Sequence, residues 1–410
     1  MTFKRRALSL LCLGRLVTAQ TGKPFGYGAG TTGGGTSAPQ TPQDIHELKA
    51  WVEDAEPRVI LIDRLFDFTD TEGNKTGKGC LPWGKCPKGA MTQEVIDMFG
   101  WCHRFGNRGN TLTISYRQAA ETPLKVGNDK TILGLGNQGV IRGKGFLIRR
   151  GKNIIIQNIH ITWLNPNLVW GGDAIAIQGG QNIWIDHCTF SLIGRMMVVL
   201  DVSPNSGITL SNNHFNGVTP WSNKCHNQHY WTLMITGPSD TVTVANNCFD
   251  STSGRSPKVG GSGNPNVAVH FYNNLHTDSR GETFEIAVGG NMLAEGNLFK
   301  NVKTLYKEQA QTALGGNSFV PFTVHDAARC QSAIGRPCVT NEQIEDAGGA
   351  APIRFGLDTT AVKAFKRVPY IKTIDIKPTS SLLDGAPGGC GFGLLNRKTK
   401  AKPTNENPSK

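Results

Sequence analysis

The chain is short of charge. Only 18% of its 410 residues are Asp, Glu, Lys or Arg, against roughly 25% in an ordinary globular domain. That argues against a helical bundle, and the frequent Gly, Asn, Ser and Thr favour a turn-rich β architecture. Beyond the N-terminus no segment approaches the roughly 18 unbroken apolar residues of a membrane span, so no membrane partner is expected. None of the ten cysteines stands in a CxxC pair, which removes the usual zinc spacing. Patterns of the RRM, helix-turn-helix and zinc-finger kind are missing, so nucleic acid is not an expected partner either. Acidic residues are scarce beside basic ones, 31 against 43, leaving a formal net charge of +12.

What is present begins with a secretory pattern. Lys4, Arg5 and Arg6 precede an apolar run, Ala7 to Gly14, and Val17-Thr18-Ala19 offers a cleavage site, although Arg15 interrupts the run. The expected organisation is a signal peptide over 1–19, one domain over 20–396 and a basic tail over 397–410. The tail carries Arg397, Lys398, Lys400, Lys402 and Lys410. The charge is either a solvated basic surface or a device for a polyanion. For a secreted chain an acidic polysaccharide fits better than nucleic acid. Loss of Cys12 with the signal leaves nine cysteines, so at least one thiol has no intramolecular partner. Cys80, Cys86 and Cys102 share one loop region, and Cys330 and Cys338 would close a small loop. Asn74-Lys-Thr76 is a glycosylation acceptor.

Residues 20–39 read as an extended segment. Thr41-Pro-Gln-Asp44 reads as the cap of a short helix through about Glu53, and Arg58–Asp63 is the first clear strand. Residues 66–122 read as an irregular excursion with one helix near 92–105. From Lys130 a unit recurs: two alternating apolar residues, a polar pair, then an apolar residue. It appears in Asn153-Ile-Ile-Ile-Gln-Asn-Ile, Asn182-Ile-Trp-Ile-Asp-His-Cys, Gly207-Ile-Thr-Leu-Ser-Asn-Asn and Thr241-Val-Thr-Val-Ala-Asn-Asn. Repetition of β units with Asn at the bends indicates a solenoid, here a parallel β-helix. In register, Asn158, His187, Asn212, Asn246 and Asn273 form one column, and Asn213, Asn247, Asn274 and Asn297 the next. Buried amides so stacked satisfy one another along the axis. His187 is therefore expected as a structural member of that ladder. After about Leu305 the repeat fades into a segment that wraps back and caps the end.

Two clusters carry chemistry. Gly171–Arg195 has Asp173, Asp186, His187 and Arg195 at the ends of two short strands. Ser253-Gly-Arg-Ser-Pro-Lys-Val259 sets Arg255 and Lys258 three apart at a bend, a costly pair of cations unless an anion or carbonyl lies between them. Trp163, Trp170, Trp221 and Trp231 lie nearby, with Trp83 and Trp101 in the cysteine-bearing loop. Flat indoles suit sugar rings, though any one of them could instead fill core.

Val169-Trp-Gly-Gly-Asp-Ala-Ile, Ile183-Trp-Ile-Asp-His, Ile193-Gly-Arg, His229-Tyr-Trp, Ser253-Gly-Arg-Ser-Pro-Lys-Val, Thr283-Phe-Glu-Ile and Leu293-Ala-Glu-Gly-Asn together resemble the fungal-type pectin lyases of the pectate lyase superfamily, polysaccharide lyase family 1. The resemblance covers about residues 25–340. It implies an all-β, right-handed parallel β-helix whose loop excursions form a substrate cleft. It also implies a secreted monomer that breaks methyl-esterified polygalacturonan by β-elimination. Arg255 would be the catalytic residue near C5, supported by Asp173 and Arg195. Lys258 would contact the substrate carbonyl, and Tyr230, Trp231, Trp83, Trp101 and Trp170 would line the cleft. The implied disulfides are Cys80–Cys102, Cys86–Cys225 and Cys330–Cys338, which leaves Cys188, Cys248 and Cys390 unassigned, the first two as buried thiols. No cofactor and no metal are expected. Pectate lyases hold Ca²⁺ on acidic ligands, whereas Cys188 to Leu200 contains no carboxylate and Arg195 stands where one would be expected. A Ca²⁺-dependent pectate lyase and a non-catalytic pectin-binding β-helix are the alternatives. A glycoside hydrolase would need paired carboxylates, which the Asp173 and Asp186 positions do not supply.

Overall fold

The repeats turn corners. Asn158, His187, Asn212, Asn246 and Asn273 all have φ between +50° and +58°, and Gly296 follows at +64°. Asn and Gly reach that left-handed region at least cost. Each such residue joins a strand of a ten-stranded parallel sheet to a strand of a nine-stranded one, and a seven-stranded parallel sheet completes the coil. The architecture is a parallel β-helix. The computed structural model describes residues 20–395 apart from 88, 106–110, 262–264, 307–313, 346–355 and 386–388. The expected signal segment and basic tail lie outside the described residues.

The axial amide ladder runs one position after the corner. Asn213 Nδ2 donates to Asn247 Oδ1 at 3.0 Å, Asn247 to Asn274 at 2.9 Å, Asn274 to Asn297 at 3.0 Å and Asn297 to Asn341 at 2.8 Å. His187 is therefore a corner residue and not a rung, because side chains at the corner point elsewhere. Its Nδ1 bonds Asp186 Oδ2 at 2.7 Å. Cys188 holds the rung position, and its backbone N–H donates to Asn213 Oδ1 at 2.9 Å. Its thiol is free and buried, and burial pushes its pKa up to about 12. Buried Asp186 accepts from Gln157, Ser211 and Asn212 and is structural.

Alternation decides which side chains fill the coil. In the seven-stranded sheet Ile148, Ile177, Leu200, Ile235, Val259 and Ile286 pair in register and are fully buried. Each contributes about 1.5–3 kcal/mol of burial. The residues between them, Leu147, Ala176, Val199, Met234, Lys258 and Glu285, face outward in a parallel row. In the nine-stranded sheet Phe190, Phe215, Phe249, His276 and Phe299 stack through the core, with Phe249 and the His276 ring 4.4 Å apart.

Both ends of the described residues run along the helix. Residues 27–34 cover the outer face of the ten-stranded sheet, where Tyr27, Gly28 and Gly34 donate backbone N–H to Thr243, Thr209 and Thr131. At the other end, Asn317–Phe319 and Glu342–Ile344 extend two sheets. Residues 391–393 then run back over the corner, donating to Asn212, Thr189 and Asn158. A Cys248–Cys390 disulfide anchors this return. Cys248 is thus not a buried thiol, and among the described residues Cys188 alone remains unpaired. The other disulfides are Cys80–Cys102, Cys86–Cys225 and Cys330–Cys338.

The helix Ile45–Glu53 starts where Asp44 accepts from the His46 and Glu47 N–H groups. A two-residue strand, Pro39–Gln40, precedes Arg58–Ile62. The excursion after it is more ordered than its sequence suggests. Asn74–Cys80 pairs antiparallel with Thr111–Arg117, and the helix is confined to Trp101–Phe105. Exposed Asn74 accepts from Arg117 Nη1 at 3.0 Å.

Neither ring nitrogen of His276 has a hydrogen-bond partner. Two unsatisfied buried polar atoms cost about 1–3 kcal/mol each, so His276→Phe should raise the melting temperature by several degrees in calorimetry at pH 7. Burial pushes His276 down to about 3 and His229 to about 4, both below an unfolded value near 6.5. The unfolded chain therefore takes up protons first, and stability should fall as pH drops from about 6.5 toward 4. The slope should be shallower in His276→Phe, checked by chemical denaturation across that range.

Candidate active site

The outward row of the seven-stranded sheet is the floor of a groove. Loops leaving the coils build its walls, and the excursion is fixed to them by Cys86–Cys225. Strand Leu168–Val169 pairs with Glu94–Ile96, which joins that excursion to the loop holding Trp170. Gln93, buried in the same wall, donates to the Pro166 and Gly194 carbonyls and accepts from Trp231 Nε1 at 3.1 Å.

Two adjoining cavities lie along the groove. One, about 280 Å³, is lined by Trp101, Phe105, Trp170, Arg195, Trp231 and Arg255 among others. The second, about 330 Å³, includes Trp170, Asp173, Ala176, Arg149 and Arg195. Trp170 and Arg195 belong to both. Asp173 and Arg195, from successive coils, therefore meet Arg255 across a continuous cleft.

Each arginine is stacked and braced. The Arg195 guanidinium lies 4.1 Å from the Trp170 ring centroid, with its Nε 3.4 Å from Asp173 Oδ1. Asp173 Oδ1 also accepts from the Met196 N–H at 2.8 Å. The Arg255 guanidinium lies 4.8 Å from the Trp231 ring and 5.4 Å from Tyr230. Stacking against flat rings keeps a planar cation in place without neutralising it. Arg255 itself sits at φ +47°, a strained backbone of the kind functional sites retain. Before it, Gly254 lies against Tyr230. A Cβ there would come within 2.2 Å of the ring, so only glycine lets the loop present Arg255 this way.

The sequence left open what lies between Arg255 and Lys258. It is Glu285, directly opposite Lys258 on the next strand. Its Oε2 is 3.5 Å from Arg255 Nε and 3.8 Å from Lys258 Nζ, and its Oε1 accepts from the Tyr230 hydroxyl at 2.6 Å. Burial and the Arg255 charge both lower the Lys258 pKa, and Glu285 opposes them. Sequence reading places Glu285 within Thr283-Phe-Glu-Ile but assigns it no role. Its signal was the register that sets it on the Lys258 row. Phe105, half of a ring pair with Trp101 at 5.6 Å, was missed.

The expected aromatic residues divide by position. Trp101, Trp170 and Trp231 face the cavities. Trp83 stands behind them, 6.1 Å from Trp101 and 6.5 Å from Trp231. Tyr230 lies under Arg255. Trp163 and Trp221 line neither cavity and pair with each other elsewhere, and Trp184 is buried, donating to Ser211. His229 is buried too, bonded to the Arg195 and Trp231 carbonyls.

The pectate lyase family pattern matches residues 83–333. A probable pectin lyase F-2 of Aspergillus terreus is 44% identical over 83% of this chain and 69% of its own length. A probable pectin lyase A of Aspergillus clavatus is 41% identical over 78% and 82%. A probable pectin lyase B of Aspergillus niger is 39% identical over 84% and 87%. Among solved structures, a Bacillus pectate lyase in complex with trigalacturonate superimposes with a TM-score of 0.54 at 17% identity, covering 91% of this chain and all of the other. The pectate lyase of Acidovorax avenae gives 0.54 at 15% identity over 92% and 96%. The fold, the groove with its stacked arginines and these relatives lead to one conclusion: the chain belongs to the pectate lyase family and is a polysaccharide lyase.

Proposed function

We propose that this lyase is secreted and cleaves methyl-esterified polygalacturonan by β-elimination, acting as a monomer on the 20–396 domain. The observation that carries this is the pairing of Arg195 and Arg255 in one aromatic-walled cavity. A methyl-esterified chain is neutral and partly apolar, so indole faces suit it. Its C5 proton is more acidic than that beside a carboxylate, and charge develops on the C6 oxygen as the proton leaves. Arg255, acting in its neutral form, receives the C5 proton. The C5–H electron pair becomes the C4–C5 double bond, and the C4–O bond breaks with its pair leaving on the glycosidic oxygen, which takes a proton from water. Lys258 and Arg195 hold the C6 oxygen while it gains charge. Trp170, Trp101, Trp231, Trp83 and Tyr230 orient the sugar rings and the arginines.

The family resemblance raises Ca²⁺ as an alternative source of positive charge. The donor set here does not fit one: the Asp173 carboxylate is already paired with a guanidinium at 3.4 Å, and a divalent cation wants several free oxygens. Secretion is supported by four disulfides, which persist in an oxidising compartment. Exposed Asn74 is available for glycosylation. Among the described residues no helix is long and apolar enough to cross a membrane.

Highly methylated pectin with a chelator present should yield ultraviolet-absorbing unsaturated oligosaccharides. Turnover confined to polygalacturonate and dependent on added Ca²⁺ would overturn the reading. Arg255→Lys should lower kcat by about 10²-fold or more with pectin binding still measurable, since the shorter ammonium loses the planar fork. Lys258 holds the C6 oxygen only while it is protonated, so the rate should fall on the alkaline side as pH rises through the lowered Lys258 pKa. Glu285→Gln removes the charge that keeps Lys258 protonated. Its alkaline limb should move to lower pH by about one unit, read from kcat/KM against pH.

A further inference from the structure

Trp163 is in an expensive place. It occupies the left-handed position at the end of its coil, with φ +63°. Register places Gly143 before it and Leu192 after it in the same column, both of positive φ. Gly217 of the next coil does not share it, and Ser251, Asp278 and Asn301 of later coils are again of positive φ. Gly, Asn and Asp tolerate that region, whereas a bulky side chain there is a genuine outlier. Its burial is incomplete, because Trp163 is 37% exposed. An exposed indole kept at a strained position indicates a contact made outside the fold.

Its surroundings suit a sugar. Trp221 meets it edge to face, with ring centroids 6.4 Å apart at 75°. The Arg142 guanidinium lies 5.3 Å from the Trp163 ring centroid and is steadied by Asp67 at 3.3 Å. Met91, 47% exposed, is bridged to Trp221 and adds apolar surface. None of these residues lines the cleft cavities. They stand on the outer side of the wall whose inner side carries Trp231: Met91 is exposed, and two residues on Gln93 is buried against Trp231.

We propose that Trp163, Trp221 and Arg142 form a second carbohydrate-binding surface, separate from the cleft, that takes a methyl-esterified galacturonan chain. The indole faces accept the CH faces of pyranose rings, and Arg142 donates to ring hydroxyl or C6 carbonyl oxygens. The occupant follows from the polymer on which the cleft acts. A long chain threaded through the groove offers further identical units within reach of the same wall, and two weak sites on one chain bind with the avidity of a linked pair. This inference rests on the substrate reading above.

The test uses Trp163→Asn and Trp221→Ala, singly and together. Asn suits the left-handed position, so Trp163→Asn should melt no lower than the parent protein. Retention on insoluble highly methylated pectin is measured in an Arg255→Ala background, to prevent degradation. It should weaken by roughly three- to tenfold for each variant. Turnover of short methylated oligogalacturonides, which occupy only the cleft, should be unchanged in the active background. Unaltered retention in the double variant would overturn the second surface. So would a lower sedimentation coefficient in the variants than in the parent, which would make the patch a contact between two copies. If the parent protein turns over no methylated oligogalacturonide, the cleft reading fails instead, independently of retention.

Discussion

The buried amide ladder is the constraint on which the rest depends. From Asn213 to Asn297 each Nδ2 donates to the Oδ1 of the next coil, and that Oδ1 also takes a backbone N–H from the coil before it. An amide placed there without its neighbours would be a desolvated polar group, and with them it is satisfied on both sides. The ladder thereby fixes the axial register at one corner. Parallel hydrogen bonding carries that register around the coil to the seven-stranded sheet. Because alternation is strict within each strand, residues far apart in sequence then fall into one outward row. Met234, Lys258 and Glu285 are neighbours for this reason alone.

On that row the site solves a charge problem. Arg195, Arg255 and Lys258 would repel one another and lose hydration in a walled groove. Asp173 and Glu285 supply one carboxylate to each end, and Trp170, Trp231 and Tyr230 supply π faces that brace the guanidinium planes. The result is a preorganised positive region held by side chains alone. Tyr230 braces one end of the device, bonding Glu285 while supporting Arg255.

The sequence exposed the repeat because alternation and bend residues recur at every coil. It exposed the cleft residues because they cluster in short motifs at coil ends. Where it misled, the physics is local. Corner and rung are adjacent Asn positions, and only φ and side-chain direction tell them apart, so His187 falls in its right column but that column passes for the ladder. Cys248 and Cys390 are separated by 142 residues, and no spacing rule links a mid-helix coil to a returning terminus. Glu285 stands inside a motif, Thr283-Phe-Glu-Ile, that gives it no role. Its partner was written 27 residues earlier, at Lys258, and only the strand register connects them. The excursion read as irregular because its antiparallel strands, Asn74–Cys80 and Thr111–Arg117, are mostly exposed and lack a clean apolar alternation.

The spacing of the rungs has a consequence for how such a molecule diversifies. Consecutive rungs from Cys188 to Asn341 are separated by 25, 34, 27, 23 and 44 residues, yet each coil adds the same rise at the corner. Added length leaves the coil as a loop and does not alter the pitch. Insertions and deletions in those loops can therefore remodel the groove walls over generations without re-solving the folding problem. A single-residue change inside a corner has no such freedom, because it would shift every later strand by one position and exchange the inner and outer faces.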